Sequence, residues 1–389
     1  MALVLKLLFK SSGGFQNFPE KRRNNIISFA IGEPDFPTPD HIKKAGIKAI
    51  EEDFTHYSPS AGIPELRKAI SEFVSTTKNI NISENNVVVL PSAKFVLDLA
   101  LLSCTNPGDE VIYPNPGYPI YESLIKVHQC KGVTAQLWEK EEWNCNVDEL
   151  RERISNKTKL IIVNSPHNPT GIVLNKENLE ALSEIALEND IWILSDEIYS
   201  NMVYDNFDYR SIAAHPDMLN RTIILDGFSK FFSMTGWRLG YAIVNEQLAE
   251  HFAKWLTNTI SCTATFTQMA GVAAMIEDKG PSIEMVKQFE KRRNLIYERL
   301  NGMNGISAVK PKGAFYIFAN VTGACEKLNL KNSLEFQEYL LEYADVAVLS
   351  RNYFGRKTPE ENEEYVRFSY CISEKNIEEG MNRIEKLLL

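Results

Sequence analysis

A rhythm that begins near Asn85 constrains the fold of this chain more than any other feature. Up to about residue 240, short runs of apolar and β-branched residues alternate with longer segments of helical period. The runs are Val87–Leu90 and residues 111–113, 160–163, 191–194 and 222–225; the helical segments between them include residues 93–103, 147–154 and 176–188. A strand that is apolar on both faces must be covered on both faces. Such strands separated by helices indicate a mainly parallel sheet. The two ends differ. Residues 1–45 show little regular pattern. A long helical region (245–302) leads into an α+β segment, with strands expected at 314–318 and 365–369 and amphipathic helices at 334–342 and 376–389. The expected fold is therefore α/β. Residues 46–280 would form a large domain, and residues 1–45 plus 281–389 an N-terminal arm and a smaller α+β domain.

Composition narrows the function. The 389 residues carry a net charge of −9 with no long basic block, which argues against nucleic acid or an acidic membrane as the main partner. The six cysteines are far apart and form no Cys-x-x-Cys pair, so reduced thiols are expected rather than disulfides or a metal site. The first residues, MALVLKLLFK, lack the features of a signal peptide, and no stretch reaches the length of a membrane span. A cytoplasmic location is expected.

In open parallel sheets ligands bind beyond the carboxyl ends of the strands. Each of the five runs leads into a polar or turn-rich segment at that end. In order these are Ser92-Ala93-Lys94, the turn around Tyr118, Asn164 to Gly171, Ser195-Asp196-Glu197-Ile198-Tyr199, and Asp226 to Lys230 followed by Ser233 to Arg238. Each has an ordinary reading on its own: a helix cap, a packed aromatic, a loop, a salt-bridge partner, a solvated lysine or arginine. Their order along successive strand ends is much harder to explain that way. Asn168-Pro169-Thr170-Gly171 lies 28 residues before Asp196, and Arg238 follows Ser229-Lys230 by eight positions from the lysine.

From Gly32-Glu33-Pro34-Asp35-Phe36 to Arg367, the chain resembles the class I/II pyridoxal-phosphate aminotransferases of fold type I, especially the bacterial and archaeal branch related to aspartate aminotransferase. The resemblance implies pyridoxal 5'-phosphate as cofactor, carried by Lys230 as an imine, with the freed amine later shuttling the substrate proton. It implies that Asp196 pairs with the ring nitrogen, that Asn168 and Tyr199 bond the ring's phenolic oxygen, and that Tyr118 stacks on the ring. The phosphate would be held by Arg238, by the backbone of Ser92, Ala93 and Lys94, and by Ser229; the position where some relatives have a further serine is Gly227 here. Arg367, helped by the backbone of Gly32, would grip the substrate α-carboxylate. Tyr57 resembles a tyrosine that reaches the phosphate of a neighbouring subunit, which implies a homodimer with shared active sites. Lys94 sits where aspartate-type relatives place a lysine near the distal carboxylate. An amino acid, favoured as aspartate or glutamate, and a 2-oxo acid such as 2-oxoglutarate are the implied substrates. Aromatic, alanine or broad specificity is the alternative. A β-lyase on the same fold shares Lys230 and Asp196. A ligand-sensing regulator would need a DNA-binding domain, and only about 30 residues precede the Gly32 segment.

Overall fold

The computed structural model describes residues 25–389. The expectations for residues 1–24 lie outside the described part. The chain begins with a short strand, β1 (Ile27–Ser28), and then builds a seven-stranded sheet from β2 (Val87–Leu90), β3 (Glu110–Asn115), β4 (Lys131–Gln136), β5 (Thr158–Asn164), β6 (Trp192–Asp196), β7 (Thr222–Gly227) and β8 (Gly240–Ile243). Their order is β2-β8-β7-β6-β5-β3-β4. All neighbours are parallel except at β8, which runs antiparallel to both β2 and β7. The apolar runs are these strands, and β2 is buried at every position. Separate apolar clusters cover the two faces, one centred on the helix Lys94–Cys104 and another on Lys176–Glu188. The helices start where the sequence supplies caps. Asn175 Oδ1 accepts from Asn178 N at 2.8 Å, and Asn146 Oδ1 from Glu149 N at 3.1 Å.

A second, antiparallel sheet of order β12-β13-β10-β9 lies toward the C-terminus. It comprises β9 (Ser307–Ala308), β10 (Tyr316–Asn320), β12 (Leu349–Ser350) and β13 (Tyr365–Ser369), with β11 (Val346–Ala347) pairing parallel with β1 instead. Ser369 N also donates to Phe29 O at 2.7 Å, so the N-terminal segment is tied to the C-terminal part. The strand expected at 314–318 starts two residues later because Ala314, at φ +57°, is left-handed and interrupts the extended run.

Residues 25–45 are more regular than their sequence suggested. The helix Asp40–Glu51 runs unbroken through residues 45 and 46, where a domain boundary was expected. It packs against the helix Thr265–Ile276. Gly46 on this helix also lets the Trp237 ring pack close, since a Cβ there would lie 2.7 Å from it. Among the described residues no helix is long and apolar enough to cross a membrane.

Candidate active site

A cavity of about 340 Å³ opens at the carboxyl ends of β2, β3, β5, β6 and β7. Ser92, Ala93 and Lys94 line it after β2, Tyr118 after β3, and Asn168 after β5. Asp196 and Tyr199 come from the end of β6, and Ser229, Lys230 and Arg238 follow β7. Gly32 and Arg367 reach it from outside the large sheet. Tyr57 does not line it and is 89% exposed.

Lys230 Nζ donates to Gly32 O at 2.7 Å and lies 5.6 Å from the centre of the Phe315 ring. Burial brings its amine down to about 8, because the charged form loses water. Gly32 also lets Tyr316 come close: a Cβ there would stand 2.0 Å from the Tyr316 hydroxyl. Asp196 receives the Tyr121 hydroxyl on Oδ2 at 2.7 Å and Ile198 N on Oδ1 at 3.3 Å. Burial, with the charges of Asp226 and Glu197 added, pushes its carboxyl up to about 6. Among the described residues no cation pairs with it.

Arg367 has the complementary condition. It projects from β13, buried, between the Tyr316 ring at 4.3 Å and the Phe354 ring at 4.9 Å. Nη1 donates to Asn168 Oδ1 at 2.9 Å and Nη2 to Ala30 O at 2.7 Å. Its Nε is buried without a hydrogen-bond partner, and among the described residues no carboxylate faces it. Burial lowers its pKa from the ordinary arginine value. The cavity thus contains a buried acid without a cation and a buried guanidinium without an anion. Such charges are costly unless a ligand completes them.

Asn168 is set by Asn164, whose Oδ1 accepts from Asn168 N at 2.9 Å and whose Nδ2 donates to Asp196 O at 3.0 Å. The Tyr199 and Tyr316 hydroxyls lie 2.9 Å apart, and burial raises the Tyr199 phenol well above its ordinary value. At the other end, Arg238 Nη2 donates to Ser92 Oγ at 2.7 Å, and Lys94 N donates to the same oxygen at 3.2 Å. Arg238 Nη1 donates to Thr235 O at 2.6 Å. Here β7 and β8 approach so closely that a Cβ on Gly227 would lie 2.9 Å from Gly240 Cα, and one on Gly240 would lie 2.1 Å from Ala93 N. Gly227 therefore leaves no room for a hydroxyl-bearing side chain without rearrangement.

Sequence reasoning assigned no role to Tyr316, Tyr121 or Asn164. Asn164 ends β5 and opens the polar segment that runs to Gly171, and its place at a strand end was a usable signal. Tyr316 and Tyr121 read as ordinary core aromatics, and nothing local distinguishes them.

Residues 24–384 match the family model described as "Aminotransferase class I and II". An aspartate aminotransferase of Pyrococcus abyssi is 40% identical over 369 residues, covering 94% of this chain and 92% of that one. An "aromatic-amino-acid aminotransferase 2" of Thermococcus litoralis is 38% identical, covering 93% and 92%. In structure the chain resembles an aromatic aminotransferase of Pyrococcus horikoshii with a TM-score of 0.89 at 37% identity, over 95% of this chain and 98% of that one.

Proposed function

The chain belongs to the class I and II aminotransferases, pyridoxal-phosphate-dependent transaminases acting on amino acids, and from that premise we propose which residues do what and on which donor. The residues present fit the cofactor. Asp196 is a buried acid lacking a cation, Lys230 a shielded amine, and Arg238 with Ser92 a donor pair beside glycines that no side chain obstructs. When bound, pyridoxal phosphate supplies an aldehyde that condenses with amines and a ring that accepts electrons from the substrate Cα.

Lys230 would hold the cofactor and, once freed, move the proton at the substrate Cα. With its amine near 8, an appreciable fraction is neutral and able to accept a proton near neutral pH. Asp196 would keep a proton on the ring nitrogen, with Tyr121 fixing the carboxyl's orientation. Asn168 and Tyr199 would bond the phenolic oxygen, and Tyr118 would cover the ring. Arg238, Ser229 and the backbone of Ser92 to Lys94 would hold the phosphate, where fixed donors suit its charge. Arg367 and Gly32 would orient the substrate's α-carboxylate. The unsatisfied Nε of a shielded Arg367 is the single observation that carries this reading.

We favour aspartate or glutamate as donor and 2-oxoglutarate as acceptor, with Lys94 at the distal carboxylate. Relatives named for aspartate and for aromatic amino acids make broad or aromatic specificity the competing outcome. A screen of amino donors against 2-oxoglutarate tests this. Aspartate and glutamate should lead, and faster turnover of phenylalanine or alanine would overturn the preference.

We further propose a homodimer in which Tyr57 serves the neighbouring site. Its 89% exposure, next to exposed Phe54 and with Ile47 and Ile50 on the preceding helix, supports a covered surface. A sedimenting monomer with full activity would exclude it. Residues 25–39 with 281–389 would form the substrate-closing unit, the boundary falling before the helix that starts at Asp40. Six cysteines without disulfide partners support a cytoplasmic location.

A further inference from the structure

Behind Asp196 lies a buried charge cluster that the proposed chemistry does not use. Lys78 ends the helix Pro64–Lys78, in a Thr-Thr-Lys sequence that suggests a surface residue, yet its side chain is 1% exposed. All three of its donor positions are occupied. Nζ reaches Glu197 Oε2 at 2.8 Å, Ser200 Oγ at 2.7 Å and Asp226 Oδ2 at 3.0 Å. Glu197 Oε1 also accepts from Ser195 Oγ at 2.8 Å and Ser211 Oγ at 2.6 Å, and Asp226 Oδ1 accepts from Gly227 N at 2.7 Å. Tyr209 and Tyr241, the latter on β8, pack beside the cluster, where burial and then the charges of Glu197 and Asp226 raise both phenols.

The cluster holds one cation and two acids, and among the described residues no second cation pairs with either acid. Holding a helix end would need only one carboxylate per lysine. The surplus negative charge is next to the active site. Glu197 follows Asp196 in the chain, and Asp226 follows Leu225, the register partner of Asp196 across β6 and β7. Successive residues on a strand point to opposite faces, so the surplus lies on the pleat away from the cavity. In a water-poor interior its field reaches across the sheet with little screening. The ionisable groups around the Asp196 carboxyl are Tyr121 and Tyr118 from the segment after β3, Tyr199 and Tyr209 from the segment after β6, and Glu197 and Asp226 behind it. Glu197 and Asp226 both oppose ionisation of Asp196 in the absence of a cation.

We propose that Lys78, Glu197 and Asp226 form a charge-setting group that fixes the net negative charge behind Asp196 and so the site's affinity for a cationic ring. The inference rests on the reading that Asp196 faces the cofactor's ring nitrogen. Lys78 acts through Asp196 and is a positioning residue. Its neutralisation increases the negative charge behind the carboxyl, whereas neutralising Glu197 removes the surplus.

The test measures the dissociation constant of pyridoxal phosphate from the cofactor-free protein between pH 5 and 9, by fluorescence quenching, for wild type and variants. In the wild type, affinity should weaken as pH falls through the titration of Asp196. Glu197→Gln keeps the shape and most hydrogen bonds. It should move that break to lower pH by about 0.5–1 unit, about a two- to threefold relative gain at pH 5.5, while weakening affinity above pH 7, so that the two curves cross. Lys78→Met should move the break upward, and the double variant Lys78→Met/Glu197→Gln, which restores the wild-type charge, should return it. If Lys78→Met does not fold, the crossing for Glu197→Gln decides alone. A Glu197→Gln curve parallel to wild type at every pH overturns the inference and leaves a structural role. Asp196→Asn separates the two levels: if it retains both the affinity and the break, the assignment of Asp196 itself fails.

Discussion

The floor and the wall of the cavity are built differently. The floor comes from the ends of β2, β3, β5, β6 and β7, between Ser92 and Arg238, and the ladder of the large sheet fixes its side chains. The wall is assembled from residues distant in the chain. Arg367 bonds Asn168 across 199 positions and Ala30 across 337, and Lys230 meets Gly32 across 198. On the proposed reading, the floor would carry the groups that any amino donor needs for chemistry, and the wall and the rim those that orient and select it. Floor variants should therefore affect turnover for every substrate, and wall and rim variants should act increasingly through binding.

The largest effect is expected in the floor. If Lys230 is the covalent anchor and proton carrier, as proposed, Lys230→Ala should lower transamination by more than about 10⁴-fold for every donor. Borohydride reduction should then trap no cofactor on the protein. Full turnover in this variant would place the chemistry elsewhere and dissolve the distinction between floor and wall.

Asp196→Asn is next, and it should act in opposite directions with and without cofactor. With cofactor, loss of the counter-charge should cost about 10²- to 10³-fold in rate. Without cofactor the sign reverses. The folded-state pKa of Asp196 is raised to about 6, so folding favours its protonated form. The cofactor-free wild type should lose stability as pH rises from about 4 to about 6 and remain lower above that. Asparagine has no such loss. The variant should be more stable than the wild type above pH 6, by up to about 3 kcal/mol, and the difference should vanish below about pH 4. Thermal melts of both cofactor-free proteins at pH 4 and 7.5 check this. A variant that melts lower at pH 7.5 would mean that the acid is compensated within the chain.

How much of each region was legible in the sequence follows the same division. The floor strands were visible because uniformly apolar runs are a local signal, and the polar segments that follow them are contiguous. β4 was not: Lys131 and Gly132 are exposed and only Gln136 is buried, so this edge strand carries no apolar run. β8 follows Arg238 so closely that it merged with the motif, and nothing local indicated that it enters the sheet antiparallel. Gly32 and Arg367 were found only through the resemblance to a family. Tyr316 and Lys78 escaped both routes. One reads as a core aromatic and the other as a surface lysine, and each takes its place from contacts more than 100 residues away.

At the wall, Arg367→Ala should weaken all donors together. On the proposed reading the guanidinium would contact the one carboxylate that every α-amino acid has, and a charge-assisted pair is worth roughly 1.5–3 kcal/mol, or about 10- to 150-fold in kcat/KM. Aspartate, glutamate, alanine and phenylalanine should decline by similar factors. A loss confined to the dicarboxylates would transfer the α-carboxylate to another group and make Arg367 a selector.

The smallest effect is expected from Lys94, and it sharpens the comparison most. The residue lines the cavity from the first turn of its helix, yet it is exposed, unlike Arg367. A pair formed by an exposed lysine is screened by water and salt and is typically worth about 0.2–1 kcal/mol. If Lys94 reaches the distal carboxylate, Lys94→Ala should lower kcat/KM for aspartate and glutamate about two- to fivefold and leave alanine unchanged. The effect should shrink as ionic strength rises, because the pair is solvent-exposed. The ratio of kcat/KM for aspartate to that for alanine, measured in wild type and variant at low and high salt, isolates this term from any general disturbance. An equal decline for both donors would assign Lys94 to the phosphate side with Ser92 and Arg238, making it part of the floor. Preference for a dicarboxylic donor would then lose its support at this position, and specificity would have to arise from the apolar and aromatic lining.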